Sequence, residues 1–227
     1  QDLNQTYATI ALLRLRLLET GVPARVASTI AVGDSLLADR FGDRLVDAVV
    51  VNPPFGVHDW GQEQLSYDSR WAFGWLPPRT EPELAWLQHG FAHLRPGGRA
   101  VVVMPSAAAS RPAGRRIRSE LVRRGALRAV VALPPRLAPA GGAGVHLWIL
   151  CRPRPNDQAP ASLLLIDAAP GASTCAESGP GRTETSGPGR EIRDAVLTAL
   201  AGRELASSPT GKARSVPVID ILDDDVD

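Results

Sequence analysis

Little in this chain of 227 residues advertises a partner or a compartment. Its two cysteines, Cys151 and Cys175, sit in unlike surroundings, which excludes a disulfide-stapled scaffold. The formal net charge is only +1, so no global field marks a nucleic-acid binder, and any basic face has to be local. Lysine is nearly absent and arginine carries the positive charge, a compositional bias rather than a functional signal. No apolar run reaches the ~18 residues that a membrane span needs, and no secretory leader is visible, so the expected location is the cytoplasm. A phosphate-cradling Gly-Lys-Ser/Thr loop and a hydrolase nucleophile elbow are both missing. Aromatic residues make up only 5% of the chain, yet Phe55, Trp60, Tyr67, Trp71, Phe73 and Trp75 fall in one stretch. Residues 57–80 show no clear period. So long an irregular segment is expected to line a pocket, the alternative being a local aromatic mini-core under a loop.

What is present centres on Asp47 to Gly56. Ala48 to Val51 is a short, mostly β-branched apolar run, the pattern of a strand covered on both faces. Pro53 and Pro54 end it, since neither has an N–H to donate to a ladder. Each proline also keeps its predecessor extended, so Asn52 and Pro53 form a stiff loop at a strand's carboxyl end, where open α/β sheets bind ligands. An Asn side-chain oxygen and a proline carbonyl can both accept from an exocyclic amino group, and Phe55 can stack on the ring that bears it. The bland alternative is a buried strand followed by a Pro-Pro turn.

Along the chain, strands and helices alternate, which predicts an α/β fold with a parallel sheet. The spacing predicts a helix over Asp2 to Glu19, capped by Asn4 and ended by Gly21 and Pro23. A short strand over Ser28 to Val32 is expected to end at Gly33-Asp34. A helix over Glu81 to Leu94 follows, with Thr80 and Glu83 as a capping box. Arg95 to Gly98 reads as its turn and Arg99 to Met104 as the next strand. Pro112 to Arg124 reads as a helix closed by Gly125. Strands are expected at Leu127 to Leu133, Val145 to Cys151 and Leu163 to Ile166, with a flexible turn at Gly141 to Gly144. Residues 169–190 contain Ser-Gly-Pro-Gly-Arg twice and read as a mobile linker. A helix over Glu191 to Leu205 and an acidic tail at Asp223 to Asp225 complete the chain.

Four further features can carry chemistry. Asp34 follows a strand end and can accept hydrogen bonds from a ligand, or simply cap the next turn. Asp2 stands where an acidic residue commonly binds ribose hydroxyls, or is an exposed terminal side chain. His89 and His93 lie at i and i+4, a metal-binding spacing, but no third ligand is evident and packing is the stronger reading; no metal is expected. Arg115, Arg116, Arg118, Arg123 and Arg124 make one helix basic, for phosphate contact or as a solvated face.

The Asn-Pro-Pro-Phe segment resembles the motif of the N6-adenine DNA methyltransferase family. Arg70-Trp71-Ala72-Phe73-Gly74, Pro77-Pro78, Glu83 to His89, Leu94 to Arg99, and Val130 to Pro134 are similar to the modification (methylase) subunit of type I restriction-modification systems. The resemblance runs over about residues 1–168, and Ser215 to Asp227 looks like the junction before a target-recognition segment. It implies a Rossmann-like class I S-adenosylmethionine-dependent methyltransferase sheet, here truncated at its N-terminal edge. The family's Gly-rich cofactor loop would precede Gln1, and no Phe/Asp-x-Gly-x-Gly stands in the chain. The implied activity is transfer of a methyl group from S-adenosyl-L-methionine to adenine N6 on a base flipped out of DNA. Asn52, Pro53, Pro54 and Phe55 are the implied catalytic residues, and Asp2 and Asp34 the implied cofactor-binding ones. A fragment of this extent is expected to be inactive alone. The implied partners are DNA and either a specificity subunit or target-recognition domain, together with a restriction subunit. Two alternatives remain: a methyltransferase for an RNA base or protein glutamine, and a non-catalytic DNA-associated subunit with a degenerate cofactor site.

Overall fold

The computed structural model describes residues 1–19, 28–133, 144–168, 193–194, 196–197 and 213–222. The expected linker over 169–190, the acidic tail, Gly21, Pro23, Pro134, Pro135, most of the Gly141 to Gly144 turn and most of Glu191 to Leu205 lie outside the described residues.

Six described strands form one sheet: β1 (Val46–Val51), β2 (Leu94–Pro105), β3 (Leu127–Ala132), β4 (Val145–Cys151), β5 (Ser162–Asp167) and β6 (Ala213–Pro217). Their order is β1-β2-β4-β3-β5-β6. β1 with β2 and β3 with β5 are parallel, whereas β4 pairs antiparallel with both β2 and β3, and β6 antiparallel with β5. The sheet is therefore mixed rather than parallel. Alternation of elements in sequence is blind to a strand such as β4, which turns back between two neighbours that lack a helix at that step. β2 also starts earlier than its spacing suggested. Arg95 to Gly98 is no turn but a bulged start of the strand, since Val46 pairs with Leu94 while Ala48 already pairs with Arg99.

The core lies on both faces of the central strands. On one face Ala100, Val102 and Met104 of β2 and Trp148 and Leu150 of β4 pack against two helices, α2 (Pro82–Ala92) and α3 (Arg115–Arg123). Leu84, Leu87 and Phe91 come from α2, and Ile117, Leu121 and Val122 from α3. On the other face Ile149 joins Ala129, Val131, Leu164 and Ile166. β4 is thus covered on both sides, as its continuous apolar sequence requires.

β1 corrects the expectation of a strand covered on both faces. Val49 and Val51 pack toward the core, but Val50, on the opposite face of this edge strand, is 81% exposed. Helix α2 backs onto its buried face at Gly90, where a Cβ would stand 3.1 Å from Val51 Cγ2 and 3.4 Å from Val49 Cγ1.

Helix α1 (Gln5–Glu19) is capped as expected, with Asn4 Oδ1 accepting from the N–H groups of Thr6 (2.8 Å) and Tyr7 (3.2 Å). Its apolar stripe is nearly bare: Ala8 is buried, whereas Leu13, Leu17 and Leu18 are exposed. The Ser28 to Val32 strand is not formed. A single parallel bridge joins Asp2 to Val32, too little pairing to make a ladder. No described helix is long and apolar enough to cross a membrane.

Candidate active site

A cavity of about 1210 Å³ opens beside the carboxyl end of β1, walled by the segments around Asp2 and Asp34 and by α2. Its polar groups follow from how each segment ends. At the end of β1 the two prolines carry the chain away from the sheet, so Asn52 is left exposed with its amide in no hydrogen bond to a described residue. Pro53 is buried and Pro54 exposed, and both line the cavity with Asn52. No described N–H reaches the Pro53 carbonyl. Phe55 is 39% exposed and stands outside the cavity lining, at the far end of the same turn.

Asp2 and Asp34 line the same cavity from two adjacent extended segments. Asp2 N–H donates to the Ala31 carbonyl (3.2 Å) and Gly33 N–H to the Asp2 carbonyl (2.9 Å), which sets the two acids side by side in the chain path. Each also serves locally. Asp2 Oδ1 accepts from Asn4 N–H (2.7 Å), and Asp34 Oδ1 accepts from Leu36 and Leu37 N–H (2.8 and 3.1 Å). The turn-capping role of Asp34 is therefore real, and it leaves the second carboxylate oxygen of each residue outside those bonds. Gln1 ties this wall together, its amide bridging the Ala38 carbonyl and the Arg40 N–H, each at 2.9 Å.

Deeper in the wall, Asp39 meets His89 and His93, a carboxylate that sequence spacing could not supply because it lies fifty residues away. The three groups are already bound by hydrogen bonds. Arg70 donates to His89 Nδ1 (3.0 Å) while holding Asp68 and the carbonyls of Ser35 and Leu36. His93 faces Asp39 Oδ2 (2.9 Å) with one ring nitrogen and the Arg44 carbonyl (3.0 Å) with the other. Burial, with the neighbouring His93 charge second, pushes His89 down to about 4, so it is neutral and can accept from Arg70. Arg70 in turn holds the Asp68 carboxyl below the usual range. A guanidinium beside His89 repels a metal ion, and the group reads as a knot fastening the loops around residues 34–44 and 68–70 to α2.

The aromatic stretch divides. Trp60 and Phe73 are buried, and Trp71 packs against Trp60 edge-on at 6.0 Å. Phe73 joins the main core against Phe91, whereas Tyr67 and Trp75 are exposed. Of these aromatic residues only Trp60 lines the cavity, with Val57, Asp59 and Trp86 of α2 also on its wall, so the segment contributes one ring to the pocket and Trp60 and Trp71 to the mini-core. The basic helix divides too: Arg118 is buried, Arg123 and Arg124 pair with Glu120, and Arg116 lies over the Trp75 ring at 4.4 Å.

Residue reading missed one more group. Glu83 makes no capping box; α2 is capped at Glu81 with no side-chain bond. The Glu83 carboxylate instead turns inward and accepts the Gly56 N–H at 2.9 Å. Only the tertiary approach of α2 to the proline turn reveals this.

Comparison with known proteins finds relatives over most of the chain. The family model described as N-6 DNA Methylase matches residues 1–178. The chain is 31% identical over 137 residues to the type I restriction enzyme HindI methylase subunit of Haemophilus influenzae, covering 60% of this chain and 30% of that protein. It is also 31% identical over 147 residues to the MjaIX methylase subunit of Methanocaldococcus jannaschii, covering 61% and 26%. The chain thus spans less than a third of the length of these relatives. Its fold superposes with a TM-score of 0.71 on the type I restriction-modification methyltransferase subunit of Streptococcus thermophilus, at 23% identity, over 94% of this chain and 43% of that one.

Proposed function

The chain belongs to the N-6 DNA methylase family, and from that premise we propose that it is the catalytic part of an enzyme that methylates adenine N6 in DNA. The observation that carries this reading is the Asn52 amide, free of hydrogen bonds to described residues and set on the wall of a cavity shared with Asp2 and Asp34. Residues 1–168 form the catalytic unit in this proposal.

Adenine N6 is paired inside a duplex, so the base has to rotate out before these groups can reach it. The Asn52 side-chain oxygen and the Pro53 carbonyl then accept the two N6 hydrogens. This draws the nitrogen lone pair out of conjugation with the ring and aims it into the cavity. Phe55 stacks on the base from the rim, an interaction of about 1–3 kcal/mol by analogy with single-strand binding. On the opposite side Asp2 would hold ribose hydroxyls and Asp34 an adenine amino group, through the oxygens their local turns leave open. S-adenosyl-L-methionine supplies a sulfonium-bound methyl group when bound there. The two acids and the roomy cavity fit its nucleoside part, while the Gly-rich loop for its methionine part is absent from this sequence. As N6 gains the methyl group, one of its two hydrogens leaves as a proton to water in the open cavity, so no acid–base residue has to act and catalysis rests on positioning and on the two carbonyl dipoles. Duplex DNA, a specificity subunit or target-recognition domain, and a restriction subunit are the partners in this reading.

The test uses the full-length protein with tritiated S-adenosylmethionine and unmethylated duplex DNA. Asn52→Ala is expected to lower methyl incorporation by about 10²–10³, the scale of losing one dipole aimed at a reacting centre. Activity within a few fold of the parent would refute the assignment. RNA and a Gln-containing peptide as competing acceptors separate this reading from its nearest relatives.

A further inference from the structure

We propose that Glu83 is a positioning residue for the methyl-transfer turn, holding Asn52 to Phe55 in place through the Gly56 N–H. The inference rests on the reading of that turn as the reactive one. Three observations carry it. Glu83 is 1% exposed, so its carboxylate is removed from water, which is costly unless something is gained by it. Its Oε1 accepts from Gly56 N–H at 2.9 Å, while its Oε2 is buried without any hydrogen bond. Arg111, a half-exposed side chain, comes no closer than 3.7 Å to it. A leucine or glutamine would fill the same volume with less loss of hydration.

Placement supplies what is gained. Glu83 lies in the first turn of α2, where the helix dipole favours an anion. That helix is fixed by Leu84, Leu87 and Phe91 in the main core. The turn is thereby held at both ends: Val51 is paired to Val102 in the sheet, and Gly56 is tied to α2 through Glu83. Pro53 and Pro54 stiffen what lies between. Gly56 adopts a φ of 68°, a left-handed conformation, and a Cβ there would meet nothing within 4 Å, so the backbone bend rather than crowding selects glycine. The bond to Glu83 holds that bend. Glu81, two residues earlier and equally buried, faces elsewhere, toward Gly114 and Arg118, and burial raises its carboxyl above the usual range.

The experiment compares Glu83→Gln, Glu83→Leu, Glu83→Asp and Asn52→Ala in the full-length protein, with tritiated S-adenosylmethionine and unmethylated duplex DNA. Glu83→Leu and Glu83→Asp are expected to lower kcat by about 10–100-fold, the scale of a small misplacement of reacting groups. Glu83→Gln keeps an acceptor oxygen for the Gly56 N–H and should recover most of the rate. Cofactor Kd by calorimetry should stay within about twofold in all three, since Asp2 and Asp34 are untouched, whereas a merely structural residue would weaken binding and rate together. Should the leucine variant fail to fold, the aspartate variant decides, because it retains charge and polarity and only withdraws the acceptor. Full kcat in Glu83→Asp or Glu83→Leu overturns the proposal, as does a glutamine variant no faster than leucine. If Asn52→Ala keeps the parental rate, the reading of the turn itself falls; if Asn52→Ala is inactive while the Glu83 variants are fast, only the role of Glu83 falls.

Discussion

The two walls of the cavity are built in opposite ways. The Asn52 wall grows out of the main core: β1 lies on α2, and α2 buries Leu84, Leu87 and Phe91. The Asp2–Asp34 wall is tied by one β-bridge, the Gln1 amide, the Asp39–His93 contact, the Arg70 bonds to the Ser35 and Leu36 carbonyls and one buried side chain, Leu36, while the leucines of α1 behind it are exposed. Buried apolar contact is thus concentrated on the Asn52 side. Local stability differs across a structure according to buried apolar contact, and the second wall belongs to the weaker end.

That contrast can be broken or sharpened by measurement. The largest effect is expected at Phe73, 1% exposed and packed on Phe91 at 4.9 Å. Phe73→Ala should cost about 3–5 kcal/mol in urea unfolding of the full-length protein, whereas Leu17→Gln on the exposed face of α1 should change it by less than ~0.5 kcal/mol. Equal effects would erase the distinction between the walls.

Next comes acid. His89 is driven down to about 4 in the folded protein from an ordinary 6.5, so the unfolded chain binds the proton first as pH falls. Stability should be fully present above pH ~6.5 and decline toward pH ~4, by at most about 3 kcal/mol, then level off with respect to this group. In His89→Asn, whose amide oxygen can still accept from Arg70, the slope between those pH values should flatten; an unchanged slope would assign the acid sensitivity elsewhere.

The smallest effect concerns the softer wall. Asp34→Ala should weaken S-adenosylmethionine binding about tenfold in calorimetry, near the 1.4 kcal/mol of one hydrogen bond to a charged group, and cost about 1 kcal/mol of stability through the lost turn cap without unfolding the protein. A loss of the fold instead would mean that the turn from Ser35 to Ala38 depends on Asp34 as a cap.

How much of this was legible follows from the range of each signal. Local signals spoke clearly. The apolar run at β1, the Asn4 cap, the β4 and β5 runs and the Pro112 start of the helix region all appear within a residue or two of where periodicity puts them. The placement of Asn52, exposed at the strand's end, was legible because two prolines leave the preceding residue few options. What stayed hidden depends on elements distant in sequence. Glu83 has the spacing of a capping box, but a backbone N–H twenty-seven residues away competes for its carboxylate. Asp39 joins two histidines fifty residues on, and Arg118 disappears into the core while its neighbours on the helix find Glu120 and Trp75. The aromatic stretch carried no period because its residues serve two cores and the surface at once.

Gly90 bears on all of this. With hydrogen in place of a methyl group, the helix settles directly on the γ-methyl groups of Val49 and Val51, and Val51 immediately precedes Asn52. The spacing of helix and strand beside the cavity is therefore gauged by an atom that is missing. Adding one carbon at this point would place it 3.1 Å from Val51 Cγ2, close enough that a neighbour has to give by a few tenths of an ångström; where the strand is what gives, Asn52 moves with it.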